Sequence, residues 1–265
     1  CMLFIRELVL KFENPSTNLI KGIIDKIANN LTLTTLELEI NSSLHDNDLS
    51  ILTPVSGVLT SLKMSLNKKP IMMTLLGKTL INLTDFFLDI KFEQHTSFYI
   101  PLTKEISQLQ QLRSLSLSIH KLPEDTWAKM CTIMPKGMKR LQDITVQLLE
   151  YYGVSCDPLI LVLKGHPTLQ RLEVHIELNK KREFQLQTLL ETLISEKLEL
   201  RSLVLDLGKI ELKEKNIEKQ LLKLISQLPN LDNLELQFPI NEFSNEGIIN
   251  IWRVAVETSS RETVL

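Results

Sequence analysis

The sequence predicts an α/β protein made of about nine similar units, each containing one strand and one helix. Three observations lead to this prediction. A short pattern, L-x-x-L-x-L-x-[LIF], occurs nine times along the 265 residues. The last residues of each copy alternate between apolar and polar, which is typical of a strand with one buried face. Between the copies, apolar residues recur three and four apart, which is typical of an amphipathic helix.

The copies recur at a spacing that defines a structural repeat. The second apolar residue of each copy is Leu8, Leu36, Leu62, Phe86, Leu115, Ile144, Leu172, Leu203 or Leu234. Consecutive members of this set are 24 to 31 residues apart. A period of this length indicates stacked units, because one unit alone cannot bury its apolar face. We therefore expect these nine residues to be stacked in the core.

Helical periodicity is clearest in three segments between the copies, residues 18–31, 184–198 and 216–228. Two further stretches, "LLGKTL" at 75–80 and "WAKMCTIM" at 127–134, also fall where a helix belongs. We predict a last helix within residues 246–265, with Ile249, Trp252 and Val256 packing back on the final strand. Each copy is thus followed by a helix that leads to the next copy.

The nine copies resemble leucine-rich repeats, and their length is closest to the ribonuclease-inhibitor-like class, which has a full helix in each repeat. A longer form, L-x-L-x-L-x-x-N-x-[IF]-x-x-x-G, is similar to repeats of ciliate protozoan proteins and is matched by Leu234, Leu236, Phe238, Asn241, Phe243 and Gly247. The resemblance implies a horseshoe-shaped solenoid, with a parallel β-sheet on the concave face and α-helices on the convex face. Ser43 and Lys69 stand where the family's turn asparagine is expected, so we expect irregular turns.

Composition sets the broad class of the protein. A hydrophobic content of 43% is ample for a core, and the net charge of −2 gives no general attraction to nucleic acid or to membrane surfaces. No apolar stretch approaches the roughly 20 residues that a membrane-spanning helix needs. Three cysteines, an odd number, favour a reducing compartment, so we expect a cytoplasmic location, with association to the cytoskeleton or a cilium as a further expectation. We expect residues 1–265 to form a single leucine-rich repeat domain that is part of a longer chain.

No motif in the sequence predicts catalysis. Gly77 begins the Gly-Lys-Thr end of a phosphate-binding loop, but Met72 stands where that loop needs its first glycine. The five histidines are not at metal-ligand spacing from a cysteine or from each other. Cys131 lies in a helical stretch and is expected to be a small buried apolar residue. We therefore expect no enzyme activity, no cofactor and no metal.

The polar positions of the nine copies define one face of the predicted sheet. Three positions per copy give 27 side chains, among which Lys11, Lys63 and Arg171 are basic. The nine acidic side chains are Glu7, Glu37, Glu39, Asp85, Asp89, Asp143, Glu173, Asp206 and Glu235. This face is therefore acidic although the whole chain is nearly neutral. A partner that binds this face is expected to be basic where it makes contact.

Phe87 is the only aromatic residue in this set and is the centre of the predicted binding site. Asp85 and Asp89 lie beside it, and the outer charges come from Glu37, Glu39 and Glu173. An exposed aromatic ring can hold much of the binding energy of an interface, while surrounding charges steer association. Two alternatives carry equal weight. The face can be a polar surface that only keeps the protein soluble, and Phe87 can be covered by the stem of Lys63.

The resemblance implies a non-catalytic protein–protein interaction module, acting as a scaffold or as a subunit of a larger assembly. Leucine-rich repeat proteins that activate GTPases, or that recognise substrates for ubiquitin ligases, are the alternatives. The basic clusters at 135–140 and 179–182 have little aromatic interleaving, so they favour solvated loops over nucleic-acid contact. We expect a protein partner, and neither a nucleic acid nor a membrane.

Overall fold

The computed structural model divides the chain into two compact units, residues 1–141 and 142–265, and each unit is described by itself. The structure describes residues 5–13, 16–28, 32–40, 48–66, 76–91, 96–149, 155, 157–176, 183–196, 199–206, 215–228 and 230–237. The predicted last helix at 246–265 and the turn positions Ser43, Lys69 and Asn241 lie outside these residues.

In the first unit, the described residues form a parallel sheet of five strands that follow one another in chain order. The strands are β1 (Glu7–Phe12), β2 (Thr35–Ile40), β3 (Ser61–Leu66), β4 (Asp85–Ile90) and β5 (Ser114–His120). The helices are α1 (Thr17–Ala28), α2 (Leu76–Thr79), α3 (Thr96–Ile106) and α4 (Glu124–Ile133), with 3₁₀ helices at Asp48–Val55 and Met134–Lys136. Each strand is therefore followed by a helical segment before the next strand.

The second unit repeats the arrangement with four parallel strands among its described residues, again in chain order. The strands are β6 (Asp143–Leu149), β7 (Arg171–Ile176), β8 (Ser202–Asp206) and β9 (Asn233–Gln237). The helices are α5 (Asp157–Gly165), α6 (Glu183–Ser195) and α7 (Lys215–Gln227). Helices α1, α6 and α7 lie where the three clearest periodic segments predicted them.

The strand register confirms the predicted repeat. In the first unit, Leu8, Leu36, Leu62, Phe86 and Leu115 are direct neighbours on successive strands. In the second unit, Ile144, Leu172, Leu203 and Leu234 are direct neighbours in the same way. The seven residues on β2 to β8 are all buried, with exposures of 0 to 2%, whereas Leu8 on β1 and Leu234 on β9 are only half-buried. The stacked residues of β2 to β8 therefore contribute one apolar side chain per repeat to a core row in each unit. This stacking of strand–helix repeats is a leucine-rich repeat fold.

A second row of contacts joins the repeats where the strands begin, and the sequence analysis did not predict it. The carbonyl oxygen of Thr34 accepts hydrogen bonds from the backbone N–H groups of Thr60 and Ser61, at 2.9 and 3.0 Å. The carbonyl of Thr60 accepts in the same way from Thr84 and Asp85. The Thr84 hydroxyl oxygen lies 3.0 Å from the same carbonyl oxygen. At the equivalent position in the second unit, the carbonyls of Gln142, Gln170 and Arg201 accept in the same way, so these backbone bonds rather than one kind of side chain join the starts of neighbouring strands.

Candidate functional site

The side chains that alternate with the buried leucines form what we call the open face of each sheet. In the first unit it consists of Glu7, Val9, Lys11, Thr35, Glu37, Glu39, Ser61, Lys63, Ser65, Asp85, Phe87, Asp89, Ser114, Ser116 and Ser118. In the second unit it consists of Asp143, Thr145, Gln147, Arg171, Glu173, His175, Ser202, Val204, Asp206, Asn233, Glu235 and Gln237. The predicted site residues all lie on these two open faces.

Phe87 occupies the middle of β4, between two very different neighbours. Lys63 lies directly opposite it on β3, and Ser116 lies opposite it on β5. The Lys63 ammonium nitrogen lies 5.3 Å from the centroid of the Phe87 ring, within the range of a cation–π contact. Phe87 is half-buried.

A shallow depression of about 340 Å³ surrounds the Phe87 ring. Its lining includes Lys63 and Asp85, together with Ser61, Ser114 and Ser116 on the flanking strands. Serine is small, and in a sheet the same-face neighbours on adjacent strands are only about 5 Å apart. The three serines therefore leave the space beside the ring that larger side chains would fill.

The outer carboxylates of the first unit are held in ion pairs. Glu37 Oε1 lies 3.1 Å from the Lys63 ammonium, and Glu39 Oε2 lies 3.0 Å from the Lys11 ammonium. The hydrogen bond between Lys11 and Glu39 raises the pKa of Lys11 and lowers the pKa of Glu39 from their ordinary values. Lys63 thus contacts both an acid and the aromatic ring, linking the outer charges to Phe87.

The two aspartates beside Phe87 differ in accessibility. Asp85 is exposed, and its carboxylate accepts a hydrogen bond from the Thr84 hydroxyl at 2.7 Å. Asp89 is only 9% exposed, and its Oδ2 atom lies 3.4 Å from the Lys91 ammonium and 3.5 Å from the Ser65 hydroxyl. Asp85 is therefore the more available of the two for contact with a partner.

Glu173 lies on the open face of the second unit, within a group of charged side chains. Its carboxylate is 2.9 Å from Arg171 and 2.8 Å from the His175 Nε2 atom. His175 Nδ1 lies 3.3 Å from the Asp206 carboxylate, so both ring nitrogens face an acid. Burial acts to raise the pKa of Glu173, but the hydrogen bonds from His175 and Arg171 outweigh it and hold that pKa below its ordinary value. Glu173 is thus already paired with two basic side chains.

The remaining candidate chemistry of the sequence takes structural roles. Gly77 lies in the four-residue helix α2. Cys131 is fully buried in α4, as predicted, and burial raises the pKa of its thiol well above the ordinary value. Within the described ranges, no three histidine, cysteine, aspartate or glutamate side chains form a group that could hold a metal ion. None of the helices in the described part of the chain is long and apolar enough to cross a membrane.

The class of fold follows from this arrangement. Parallel strands in register, a row of stacked apolar residues with one from each repeat, and a polar open face are the features of a leucine-rich repeat fold. No family model matches the sequence, and no curated protein matches it. Among solved structures, the leucine-rich repeat-containing protein LegL7 from Legionella pneumophila is similar, at 16% identity and a TM-score of 0.45. The similarity covers 97% of this chain and 91% of that chain.

Proposed function

We propose that this chain is a non-catalytic protein–protein interaction module, acting as a scaffold or as a subunit of a larger assembly. The observation that carries the proposal is the depression around Phe87 on an otherwise polar and acidic open face. Repeat folds leave a whole face of side chains free for contact, because each repeat packs only on its neighbours. We propose a reducing compartment, the cytoplasm, as its location, and the buried free thiol of Cys131 fits it.

We propose that the partner is basic at the contact. The open face of the first unit holds five acids, Glu7, Glu37, Glu39, Asp85 and Asp89, against the two bases Lys11 and Lys63. Its surplus of negative charge attracts a positive surface and raises the rate of encounter at low salt. A lysine-rich or arginine-rich partner would meet Glu7 and Asp85 first, because these two carboxylates are the exposed ones among the five.

Phe87 is proposed as the anchor of this contact. An arginine or an aromatic side chain of the partner fits beside the ring in the space left by Ser114 and Ser116. An arginine can stack on the ring while its charge faces Asp85. Anchors of this kind usually account for about 2 kcal/mol or more of the binding free energy, which corresponds to about thirtyfold in affinity.

The test is site-specific photo-crosslinking followed by binding kinetics. A benzophenone amino acid replaces Phe87 in one variant and Lys129, an exposed residue of α4, in the control. We expect position 87 to give an adduct with a protein that position 129 does not give. Phe87→Ala should then raise the dissociation rate of that protein, whereas Asp85→Lys should mainly lower its association rate and weaken the salt dependence of that rate.

The proposal is wrong if position 129 alone gives an adduct, or if Phe87→Ala and Asp85→Lys bind the captured protein as the parent does. Both variants must melt at the temperature of the parent, so that a change in binding is not a change in folding. An acidic contact surface on the captured protein would contradict the charge argument separately.

A further inference from the structure

A second surface of the first unit lies where strands begin, apart from the open face. It is an open groove of about 1000 Å³ formed by the residues around α2 and the segments that follow α3 and α4. The polar side chains that line it include Asn82, Gln108 and Gln111, together with Lys136, Lys139 and Arg140. We call this surface the basic groove.

Two glycines hold the segments of the basic groove in close contact. A Cβ atom on Gly137 would lie 1.6 Å from the carbonyl oxygen of Ser107, so no side chain fits there. A Cβ atom on Gly77 would lie 2.6 Å from the carbonyl oxygen of Glu105 and 2.4 Å from the Cβ of Gln108. The backbones of adjacent repeats thus meet directly at these points. The segments that form the groove are therefore held together by backbone packing between adjacent repeats.

The charged side chains among the described lining residues are all basic. The described residues that line the groove include two lysines and one arginine and no carboxylate, while Glu105 lies next to the lining and accepts a hydrogen bond from the Gly77 N–H at 3.2 Å. Lys136, Lys139 and Arg140 are all exposed. Arg140 donates to the side-chain oxygen of Gln111 across the groove, and in the described part of the chain none of the three cations has an ion-pair partner.

The chemistry of the groove suits a segment of acidic polypeptide. The cations can pair with carboxylates. The Asn82 amide already donates to the Gly57 carbonyl and the Gln111 oxygen already accepts from Arg140, but each amide keeps further donor or acceptor capacity for peptide groups, as does Gln108. A nucleic acid fits less well, because none of the described residues that line the groove is aromatic and could stack on a base. The chain also carries a net charge of −2, which gives no general attraction to a phosphate backbone.

We propose that the basic groove is a docking site for an acidic peptide segment of another protein, separate from the basic partner proposed for the open face. Lys136, Lys139 and Arg140 pair with the glutamate or aspartate side chains of that segment, and the groove amides bind its backbone. Because the lysines are exposed, the affinity falls as salt is added.

The experiment measures fluorescence anisotropy of a labelled, unstructured glutamate-rich peptide titrated with the full chain at low and at physiological salt. An oligothymidylate of matched length is the comparison probe. The test variant is Lys136→Glu combined with Lys139→Glu, and the control is Lys129→Glu, an exposed lysine of α4 outside the groove. Neither lysine of the test variant lies on the open face, so the outcome is independent of the proposal made for Phe87.

We expect the parent to bind the glutamate-rich peptide more tightly than the oligothymidylate. The double charge reversal should weaken peptide binding by about tenfold or more, since two attractive surface pairs become repulsive. Lys129→Glu should bind within about twofold of the parent, and all variants should melt at the parent temperature.

Four results would overturn the proposal. The first is that the peptide does not bind, and the second is that the test and control variants lose the same amount of peptide affinity. The third is that the oligothymidylate binds more tightly than the peptide and that the double reversal removes this binding. The fourth is that the chain self-associates and that the double reversal abolishes the self-association. The third result would assign the groove to nucleic acid, and the fourth would assign it to a second copy of this chain.

Discussion

Leu203→Asp should unfold the repeats around β8, whereas Leu161→Asp should leave them folded. Leu203 is fully buried and lies in register between Leu172 and Leu234. Leu161 lies on α5 of the same unit and is 47% exposed. The two variants therefore introduce the same side chain into a core position and a surface position of one unit.

The magnitude follows from the burial of Leu203. Truncating a fully buried leucine to alanine costs about 3 kcal/mol, from lost apolar contact and from the cavity that remains. Aspartate in that position adds the cost of burying a carboxyl group without a partner, about 1–3 kcal/mol even when it is protonated. The total of about 4–6 kcal/mol is comparable to the whole stability of an ordinary small domain. The exposed Leu161→Asp change should cost about 1 kcal/mol or less.

Hydrogen–deuterium exchange followed by mass spectrometry gives the clearest measurement, because it reports each strand separately. In Leu203→Asp, the amides of β7, β8 and β9 should lose protection, while those of β2, β3 and β4 in the first unit keep it. In Leu161→Asp, all six strands should exchange at the parent rates, and the urea midpoint should shift little. Parent-like protection of β7 to β9 in Leu203→Asp would show that Leu203 does not face the core and that the register is wrong.

Three further predictions concern buried groups and close contacts. With Cys1 and Cys156 replaced by serine, the remaining Cys131 thiol should react with a disulfide reagent only as fast as the protein unfolds. The reason is that this thiol is fully buried and that burial raises its pKa. Fast labelling of the native protein would contradict this prediction. Burial lowers the pKa of His166 below its ordinary 6.5, so on acidification the unfolded state binds a proton before the folded state does. The contribution of His166 to the free energy of unfolding is therefore fully present above about pH 7 and is lost as the pH falls below 6.5. Urea midpoints measured between pH 5 and 7 should then decline less with acidification in His166→Phe than in the parent, and equal slopes would count against the buried neutral ring. Gly137→Ala should destabilise the first unit by about 1–3 kcal/mol, because the new Cβ atom would overlap the Ser107 carbonyl. Gly22→Ala on α1, where a Cβ atom meets no other atom, should stabilise the unit by about 0.5–1 kcal/mol. Thermal melts of the two variants test this, and equal melting temperatures would refute the close contact at Gly137.

The fold can be predicted from the sequence because each repeat contributes the same kind of residue to the same position in the core. The step between the second apolar residues sets which residues become neighbours, so the repeat pattern by itself predicts that Leu36, Leu62 and Phe86 lie side by side, as they do. Single copies of the pattern are short and weak, but nine copies in one frame leave little freedom in the register. The connecting segments have no such constraint. Their helices accordingly range from four residues in α2 to 13 in α6 and α7.

The candidate site can be predicted from the sequence only in part. Alternation along β4 correctly places Phe87 and Asp85 on the open face, but it cannot show that Asp89 is recessed and paired with Lys91. Such differences depend on side-chain conformations and on what covers each end of a strand. The pairing of His175 with Glu173 and Asp206 was not predicted, although the repeat supplies a signal, since His175 and Asp206 occupy equivalent positions in consecutive copies.

The basic groove was missed for a different reason. Its side chains are separated by about one repeat, as Gln111 and Arg140 are, and they come together only because the turns of successive repeats lie side by side. Taken alone, the cluster at 135–140 indicates only a solvated loop. Comparing each turn with the equivalent turn of the neighbouring repeats would place Lys139 and Arg140 near the amides of Gln110 and Gln111.

The ion pairs of the open face bear on how a basic partner would bind. Glu37 and Glu39 lie two residues apart on the same face of β2, and each carboxylate pairs with a lysine directly opposite it on a neighbouring strand, Lys63 and Lys11 respectively. Both lysines are substantially exposed, so solvent screens each pair and leaves it only a small contribution to folding. A partner that brings its own cations can therefore replace Lys11 and Lys63 at Glu39 and Glu37 with little loss of stability. Displacing Lys63 also uncovers the Phe87 ring, so the charge exchange and the exposure of the proposed anchor would occur in the same step.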